Sequence, residues 1–143
     1  MVTLDQANVI IAATIGKGRE LGLNPLTVAV VDAGGHLIAF QRADGSPSLR
    51  PSIAIGKAAG AVGLGISSRR VGELAVERPH FIGAVSHIAP SGLVPVAGGV
   101  VVIDERGRAI GAVGVSGDTS DNDEVCAMAG IVASGLTAQG MTA

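Results

Sequence analysis

Arg42 and Asp44 are two residues apart where a predicted strand enters a turn, and Lys57 follows on the next predicted helix. A guanidinium at a strand end can hold a substrate carboxylate through two hydrogen bonds. Asp44 or Lys57 could then move a proton or bind a polar group of the substrate. The alternative is structural, with Arg42 and Asp44 pairing around the turn. The functional interpretation makes Arg42 a ligand-binding residue and Asp44 a binding and catalytic candidate.

A second group of charges opens the last predicted helix, where Asp118, Asp121, Asp123 and Glu124 lie close together. The spacing fails the calcium-loop pattern, because Asp123 occupies the position that requires glycine and Ala129 the position that requires glutamate. Acidic residues at a helix start also interact favourably with the helix dipole, which explains them without a ligand. The alternative is a pocket role, with Asp123 as a catalytic and binding candidate and Glu124 as a binding candidate.

Three histidines, His36, His80 and His87, are the neutral nitrogen ligands that the chain offers to iron or zinc. A lone histidine on a strand or loop is usually a surface residue. His80 differs in its neighbours, Pro79 and Phe81, which could cover one face of a haem. The sequence therefore predicts His80 as the haem ligand, if haem binds.

Composition limits the classes of partner. The chain has 143 residues, 48% of them hydrophobic and 15% charged, which predicts a single folded domain over residues 1–143. Its formal net charge is −2 and no basic block exists to neutralise phosphates, so we expect no nucleic-acid partner. With no Trp, no Tyr and two Phe, the core must be built from small aliphatic side chains.

Compartment and membrane association can also be predicted. The single cysteine, Cys126, cannot form an internal disulfide, and no base near it in sequence would activate it as a nucleophile. The start of the chain shows no signal-peptide pattern. Residues 81–103 lack charges, but Pro90, Pro95 and several glycines make a spanning helix unfavourable. We therefore expect a cytoplasmic protein without a membrane span.

Hydrophobic periodicity predicts alternating helices and hairpins. Thr3 and Gln6 have the spacing of a capping box, and Ser120 or Asp121 can cap the last helix. The predicted elements are a helix Leu4–Leu21, a hairpin of 27–31 and 36–42, a helix Ser52–Gly65, one or two short helices within Ser67–Val85 interrupted at Pro79, a hairpin of 99–103 and 108–116, and a last helix with apolar positions Val125, Met128, Ala129, Val132 and Leu136.

Because hairpins rather than helical crossovers join the strands, the pattern predicts an antiparallel sheet flanked by helices, an α/β (α+β) fold and not a Rossmann fold. The Gly- and Ala-rich helix Ser52–Gly65 permits close packing, at a helix-propensity cost of up to about 1 kcal/mol per glycine. A small-residue helix in so apolar a chain also favours a homo-oligomer.

The sequence resembles the GlcG/HbpS-like family, which includes the C-terminal domain of PduO-type proteins. The resemblance covers nearly the whole chain, although Arg69–Ser86 matches no part of the pattern. The segments that carry it are Val30-Val31-Asp32-Ala33-Gly34-Gly35-His36-Leu37, Arg42-Ala43-Asp44-Gly45-Ser46, Lys57-Ala58 and Gly111-Ala112-Val113-Gly114-Val115-Ser116-Gly117, followed by Asp123-Glu124 and Ala129-Gly130.

The resemblance implies a profilin-like or roadblock-like three-layer domain with about five strands, frequent homo-oligomers, and haem binding in some members. It places Ser116 beside the start of the last helix. The expected pocket lies between the Arg42–Ser46 turn, Lys57 and that helix start, with Ser116, Asp123 and Glu124 as further binding residues. We expect a small-molecule ligand, haem or an organic acid. The alternatives are an enzyme of organic-acid or aromatic catabolism and a structural oligomeric protein without a ligand.

Overall fold

A computed structural model describes residues 1–141 of the chain. The elements in chain order are α1 (Leu4–Glu20), β1 (Thr27–Asp32), β2 (Leu37–Arg42), α2 (Arg50–Leu64), α3 (Ser68–Glu77), α4 (Pro79–Ile88), β3 (Gly99–Ile103), β4 (Ala109–Ser116), α5 (Ser120–Ala133) and β5 (Thr137–Ala138). The predicted hairpins and helices are present, with ends shifted by one to three residues. The Thr3–Gln6 capping box forms, and the short-helix segment divides at Pro79.

The strands form one five-stranded sheet in the order β2-β1-β4-β3-β5, and every pairing is antiparallel. Helices α1 and α5 pack on one face and α2 on the other. The predicted α+β fold, with an antiparallel sheet flanked by helices, is confirmed. No helix within residues 1–141 is long and apolar enough to cross a membrane.

The larger core lies between the sheet and the α1–α5 layer. Side chains of alternate strand residues, such as Val28 and Val30 on β1, meet Ile10, Ile11 and Ile131 from the two helices. The opposite face carries smaller side chains, with Val31 and Ala112 packed on Ala58 and Val62 of α2. This alternation follows from the two-residue period of a strand.

Strand glycines allow α2 to lie unusually close to the sheet. A Cβ on Gly114 would collide with the Ala54 carbonyl oxygen, and one on Gly99 with the Lys57 carbonyl oxygen. The glycines of α2 serve the helix's outer side, where a Cβ on Gly60 would come within 2.7 Å of Leu93 Cδ1. The predicted close approach is therefore present, but strand glycines provide it on the sheet side.

The predicted cap of α5 is wrong, and its predicted apolar positions are only partly buried, with Met128 and Leu136 packed against the core. Thr119 caps the helix by accepting from the Asn122 N–H, in place of the predicted Ser120 or Asp121. Val125 and Val132, two of the predicted apolar positions, are 46% and 53% exposed. The buried positions are Asp123, Cys126, Ala127, Gly130 and Ile131. Gly130 decides this orientation, because a Cβ there would collide with Thr14 Oγ1 and only a glycine lets α5 approach α1 so closely.

The β1–β2 and β3–β4 turns share one geometry. Asp32 Oδ1 accepts from the N–H groups of Gly34 and His36 at 2.9 and 3.0 Å. Asp104 Oδ1 accepts from the N–H groups of Arg106 and Arg108, both at 2.9 Å. The third residue after each aspartate is a glycine with positive φ, 81° at Gly35 and 77° at Gly107. Glycine suits this left-handed conformation because it has no Cβ.

The contact of α2 with the sheet can be tested through Gly114. We expect Gly114→Ala to lower the free energy of unfolding by about 3 kcal/mol or more, because the methyl group must displace the backbone of α2. Gly16→Ala on α1 is the matched control, because nothing lies within 4 Å of the added Cβ. That variant should gain about 0.4–1 kcal/mol. Urea unfolding measures both, and equal stability of the two variants would contradict the close approach.

Candidate functional site

Lys57 on α2 and Asp123 on α5 form a buried ion pair at the end of β4. Lys57 Nζ donates to Asp123 Oδ2 at 3.1 Å and to the Val115 carbonyl oxygen at 2.8 Å. Asp123 Oδ1 accepts from the Asp118 N–H at 3.0 Å. The two side chains are only 2% and 1% exposed. The pair therefore joins the helical layers on the two faces of the sheet.

Burial dominates the titration of both groups. It lowers the pKa of Lys57, and the nearby Asp123 carboxylate opposes that shift. Burial likewise raises the pKa of Asp123, opposed by the Asp118 N–H and the Lys57 charge. Each charge compensates for the lost hydration of the other, which makes the pair a structural tie between the two helices.

Hydroxyl groups and a second cation lie near this ion pair. Arg50, the first residue of α2, donates from Nη1 to the buried Ser116 Oγ at 3.0 Å. Thr27 and Ser46 share a hydrogen bond of 2.9 Å between their hydroxyl oxygens. The sheet register pairs Thr27 with both Ser116 and Arg42, so these three residues belong to one row across the sheet.

The structure brings together only part of the predicted pocket. Lys57 contacts Asp123, and Ser116 is bound by Arg50, a residue that the sequence analysis missed. No local signal marks Arg50, because its partner Ser116 lies 66 positions further along the chain. Arg42 reaches the same end of the sheet but is exposed.

The remaining predicted residues lie elsewhere. Asp44 borders a small cavity with Arg19, and within residues 1–141 it forms no ion pair with Arg42. Glu124 accepts from Arg69 Nε at 3.0 and 3.1 Å on the surface. His80 is exposed on the first turn of α4. The roles predicted for these residues stay predictions.

A largely apolar cavity lies at the opposite end of α2. It has a volume of about 370 Å³ and is bounded by the β1–β2 turn, the C-terminal half of α2, the end of α4 and the segment that follows α4. We call it the His36 cavity. It is lined by Gly34, Gly35, His36, Ala59, Gly60, Gly63, Leu64, Val85, Ile88, Ala89, Pro90, Ser91, Gly92 and Leu93.

His36 is the titratable side chain in this lining. Its side chain is 83% exposed, and Nδ1 lies 3.5 Å from Asp32 Oδ1. Gly34 leaves room for the ring, because a Cβ there would lie 3.0 Å from both Nδ1 and Cε1. The backbone N–H of His36, more than any other group, lowers the pKa of Asp32. The carboxylate therefore stays charged beside the imidazole at neutral pH.

Metal-binding groups are sparse in the described part of the chain. Residues 1–141 hold no cluster of three or more His, Cys, Asp or Glu side chains able to bind a metal ion. A structural zinc site takes four protein ligands, whereas a haem iron needs only an axial ligand from the protein. A single imidazole meets the ligand requirement of a haem iron and not that of a structural zinc site.

Comparison with known proteins identifies the family. The family described as "Haem degrading protein HbpS-like" matches residues 2–132. The chain belongs to the HbpS-like family. The resemblance found in the sequence is therefore confirmed, and no curated protein sequence gives a significant match.

Solved structures share the HbpS-like fold. Klebsiella pneumoniae protein ORFY aligns with a TM-score of 0.84 at 27% identity, over 94% of this chain and 90% of that one. A double mutant of Streptomyces reticuli HbpS gives a TM-score of 0.79 at 27% identity, over 91% of this chain and 84% of that one. A complex of PduOC with haem gives 0.82 at 23% identity over 93% and 94%, a likeness of fold.

The buried pair can be tested by removing its cation. We expect Lys57→Met to lower the free energy of unfolding by about 3–5 kcal/mol, because Asp123 is left buried without a counter-charge. Lys17→Met is the control, because Lys17 pairs with Glu20 at the surface, where ion pairs contribute little. A Lys57 variant as stable as the control would contradict the structural role of the pair.

The same variant should depend on pH in a defined direction. Without Lys57, burial raises the pKa of Asp123 further above its unfolded value. A carboxyl with a raised folded pKa stabilises the fold at low pH and loses that contribution as pH rises through the folded pKa. The stability deficit relative to wild type should therefore be smaller at about pH 5 than at about pH 7.5. Urea unfolding at both pH values measures it.

Proposed function

We propose that this HbpS-like protein binds haem in the His36 cavity, with the His36 imidazole as the iron ligand. The observation that carries the proposal is the placement of this imidazole on the rim of a mostly apolar cavity. The family description names haem degradation, and the related PduOC was crystallised with haem. Both support a haem-related role, and neither assigns a residue of this chain.

The residues present fit a tetrapyrrole. Leu64, Val85, Ile88 and Leu93 would offer aliphatic surface to a porphyrin, and the volume of about 370 Å³ lies within the range of about 300–1,000 Å³ typical of small-molecule sites. No lysine or arginine occurs in the lining given above, so charged propionates would have to remain in water. When bound, haem supplies an iron whose chemistry depends on its axial ligand.

His80 remains the competing ligand. It lines neither the His36 cavity nor the cavities beside Asp44 and Glu124, and the neighbouring Phe81 ring is covered by the Arg78 guanidinium at 4.7 Å. A haem at His80 would have to bind on the surface of α4. We therefore favour His36, which belongs to the lining of a mostly apolar cavity.

Hemin titration separates the two ligands. We expect a saturable Soret shift in the wild type, loss of that shift in His36→Arg, and retention in His80→Ala. Arginine is the chosen replacement because Arg108 holds the matching position in the β3–β4 turn, so the turn can keep its geometry. Loss of the shift in His80→Ala with retention in His36→Arg would show that His80, not His36, is the iron ligand. A wild type without any shift would overturn haem binding.

An organic acid is the second candidate ligand, at the end of the sheet that carries Arg42, Arg50 and Ser116. It is favoured by the half-buried Arg50 guanidinium, whose hydrogen bond to Ser116 involves one of its two terminal nitrogens. Such a group can hold a carboxylate. Catalysis there by Asp44 or Asp123 would need the first to move inwards or the second to leave Lys57. Native mass spectrometry of the purified protein distinguishes a bound haem from a bound acid.

We also infer that the chain forms a homo-oligomer. Helix α4 packs chiefly on α3 and buries only Ile82, while Val76, Phe81 and Ile88 are exposed. Exposed apolar side chains on a helix pair that packs on little else favour association. Light scattering at micromolar concentration should give a mass of at least twice the 14.1 kDa chain. A particle of one chain mass would refute the inference.

A cytoplasmic location is part of the same proposal. It is supported by the single cysteine, Cys126, which is buried and free. A reducing compartment suits a chain that uses no disulfide.

A further inference from the structure

The β1–β2 turn places a carboxylate, a glycine and an imidazole in contact. Asp32 Oδ1 lies 3.5 Å from His36 Nδ1, and the ring passes over Gly34. We propose that Asp32 is a positioning residue that holds the proton of His36 on Nδ1 and so leaves Nε2 as the atom that binds iron. The inference rests on the proposed function and names the ligating atom of that site.

The chemistry follows from the two nitrogens of a neutral imidazole, one of which donates while the other accepts. A carboxylate beside Nδ1 favours the tautomer with its proton there. The lone pair is then on Nε2, and the hydrogen bond makes that nitrogen a stronger electron donor. The distance of 3.5 Å is too long for a formed hydrogen bond, so the 83% exposed ring must turn towards the carboxylate when iron binds. Such bonds often tighten when a ligand arrives.

Asp32 also accepts hydrogen bonds from the backbone of its own turn. The β3–β4 turn provides a comparison, because its aspartate has the same structural role. Asp104 accepts from two N–H groups in the same way, and its other oxygen accepts from Arg108 Nε at 2.9 Å. The turn therefore uses an aspartate and takes a basic side chain four residues later. A protonated guanidinium has no lone pair for a metal, whereas a neutral imidazole has one. The two turns therefore have the same backbone geometry, and only the β1–β2 turn carries an imidazole that can bind a metal.

This internal pair provides a matched experiment with Asp32→Asn and Asp104→Asn. Asparagine keeps an acceptor oxygen for the turn and removes the charge. Both variants should lose similar thermal stability. Hemin affinity should fall about 10- to 100-fold in Asp32→Asn and stay unchanged in Asp104→Asn. In the ferrous complex, the iron–histidine stretching band in resonance Raman spectra should move to lower frequency only in Asp32→Asn.

The outcomes separate this inference from haem binding itself. If the wild type binds hemin and both Asn variants bind it equally with unchanged bands, the positioning role is overturned while haem binding stands. If the wild type gives no Soret shift, the proposed function fails first.

Should Asp32→Asn fail to fold, Gly34→Ala provides the second test. Its methyl group would lie 3.0 Å from Nδ1 and Cε1 and 3.4 Å from Asp32 Oδ1, so it displaces the ring from its present contact with the carboxylate while leaving the charge of Asp32 in place. The same shift of the iron–histidine band is expected, and an unmoved band would count against the inference.

Discussion

The buried ion pair between Lys57 and Asp123 is the constraint on which the arrangement of layers depends. Two charges removed from water are tolerated only when both are paired and hydrogen-bonded. The Val115 carbonyl and the Asp118 N–H complete that requirement. The pair therefore fixes α2, the end of β4 and the start of α5 relative to one another. Position 98 beside the pair requires glycine, because its φ is 119° and a Cβ there would lie 2.7 Å from Lys57 Nζ and 2.8 Å from the Val115 carbonyl oxygen.

Helix α2 links two chemically different ends of the molecule. Its first residue, Arg50, joins the hydroxyls of the sheet, whereas its C-terminal half forms a wall of the His36 cavity. The helix can serve both because its small residues pack tightly between the sheet and the segment before β3. A tightly packed element of this kind keeps the cavity wall in place, while the more exposed α4 covers only one side.

The β3 side of the sheet is closed by side chains. The Ser67 and Ser68 hydroxyls accept from the N–H groups of Val101 and Gly99, and Gln139 ties the segment after β5 to Ser67. Unpaired strand edges invite association, and these side chains occupy donors that would otherwise be free. The hydroxyls at the start of α3 therefore bind N–H groups of β3, and the Ser67 hydroxyl does not cap its own helix.

Local residue patterns determined much of this protein. The Thr3–Gln6 capping box, the two Asp-x-x-Gly turns and the β-branched runs act over a few residues, so the first helix, both hairpins and the antiparallel sheet could be predicted from them. Tertiary structure decided what depends on partners far along the chain. Lys57 pairs with Asp123, which lies 66 positions further along the chain. Gly130 lets α5 pack closely on α1, and in that orientation Val125 and Val132 of its apolar period are exposed. The cavity beside His36 forms only because α4 and the segment after it fold over α2. Burial and hydrogen bonding between distant elements set these contacts, and no local periodicity encodes them.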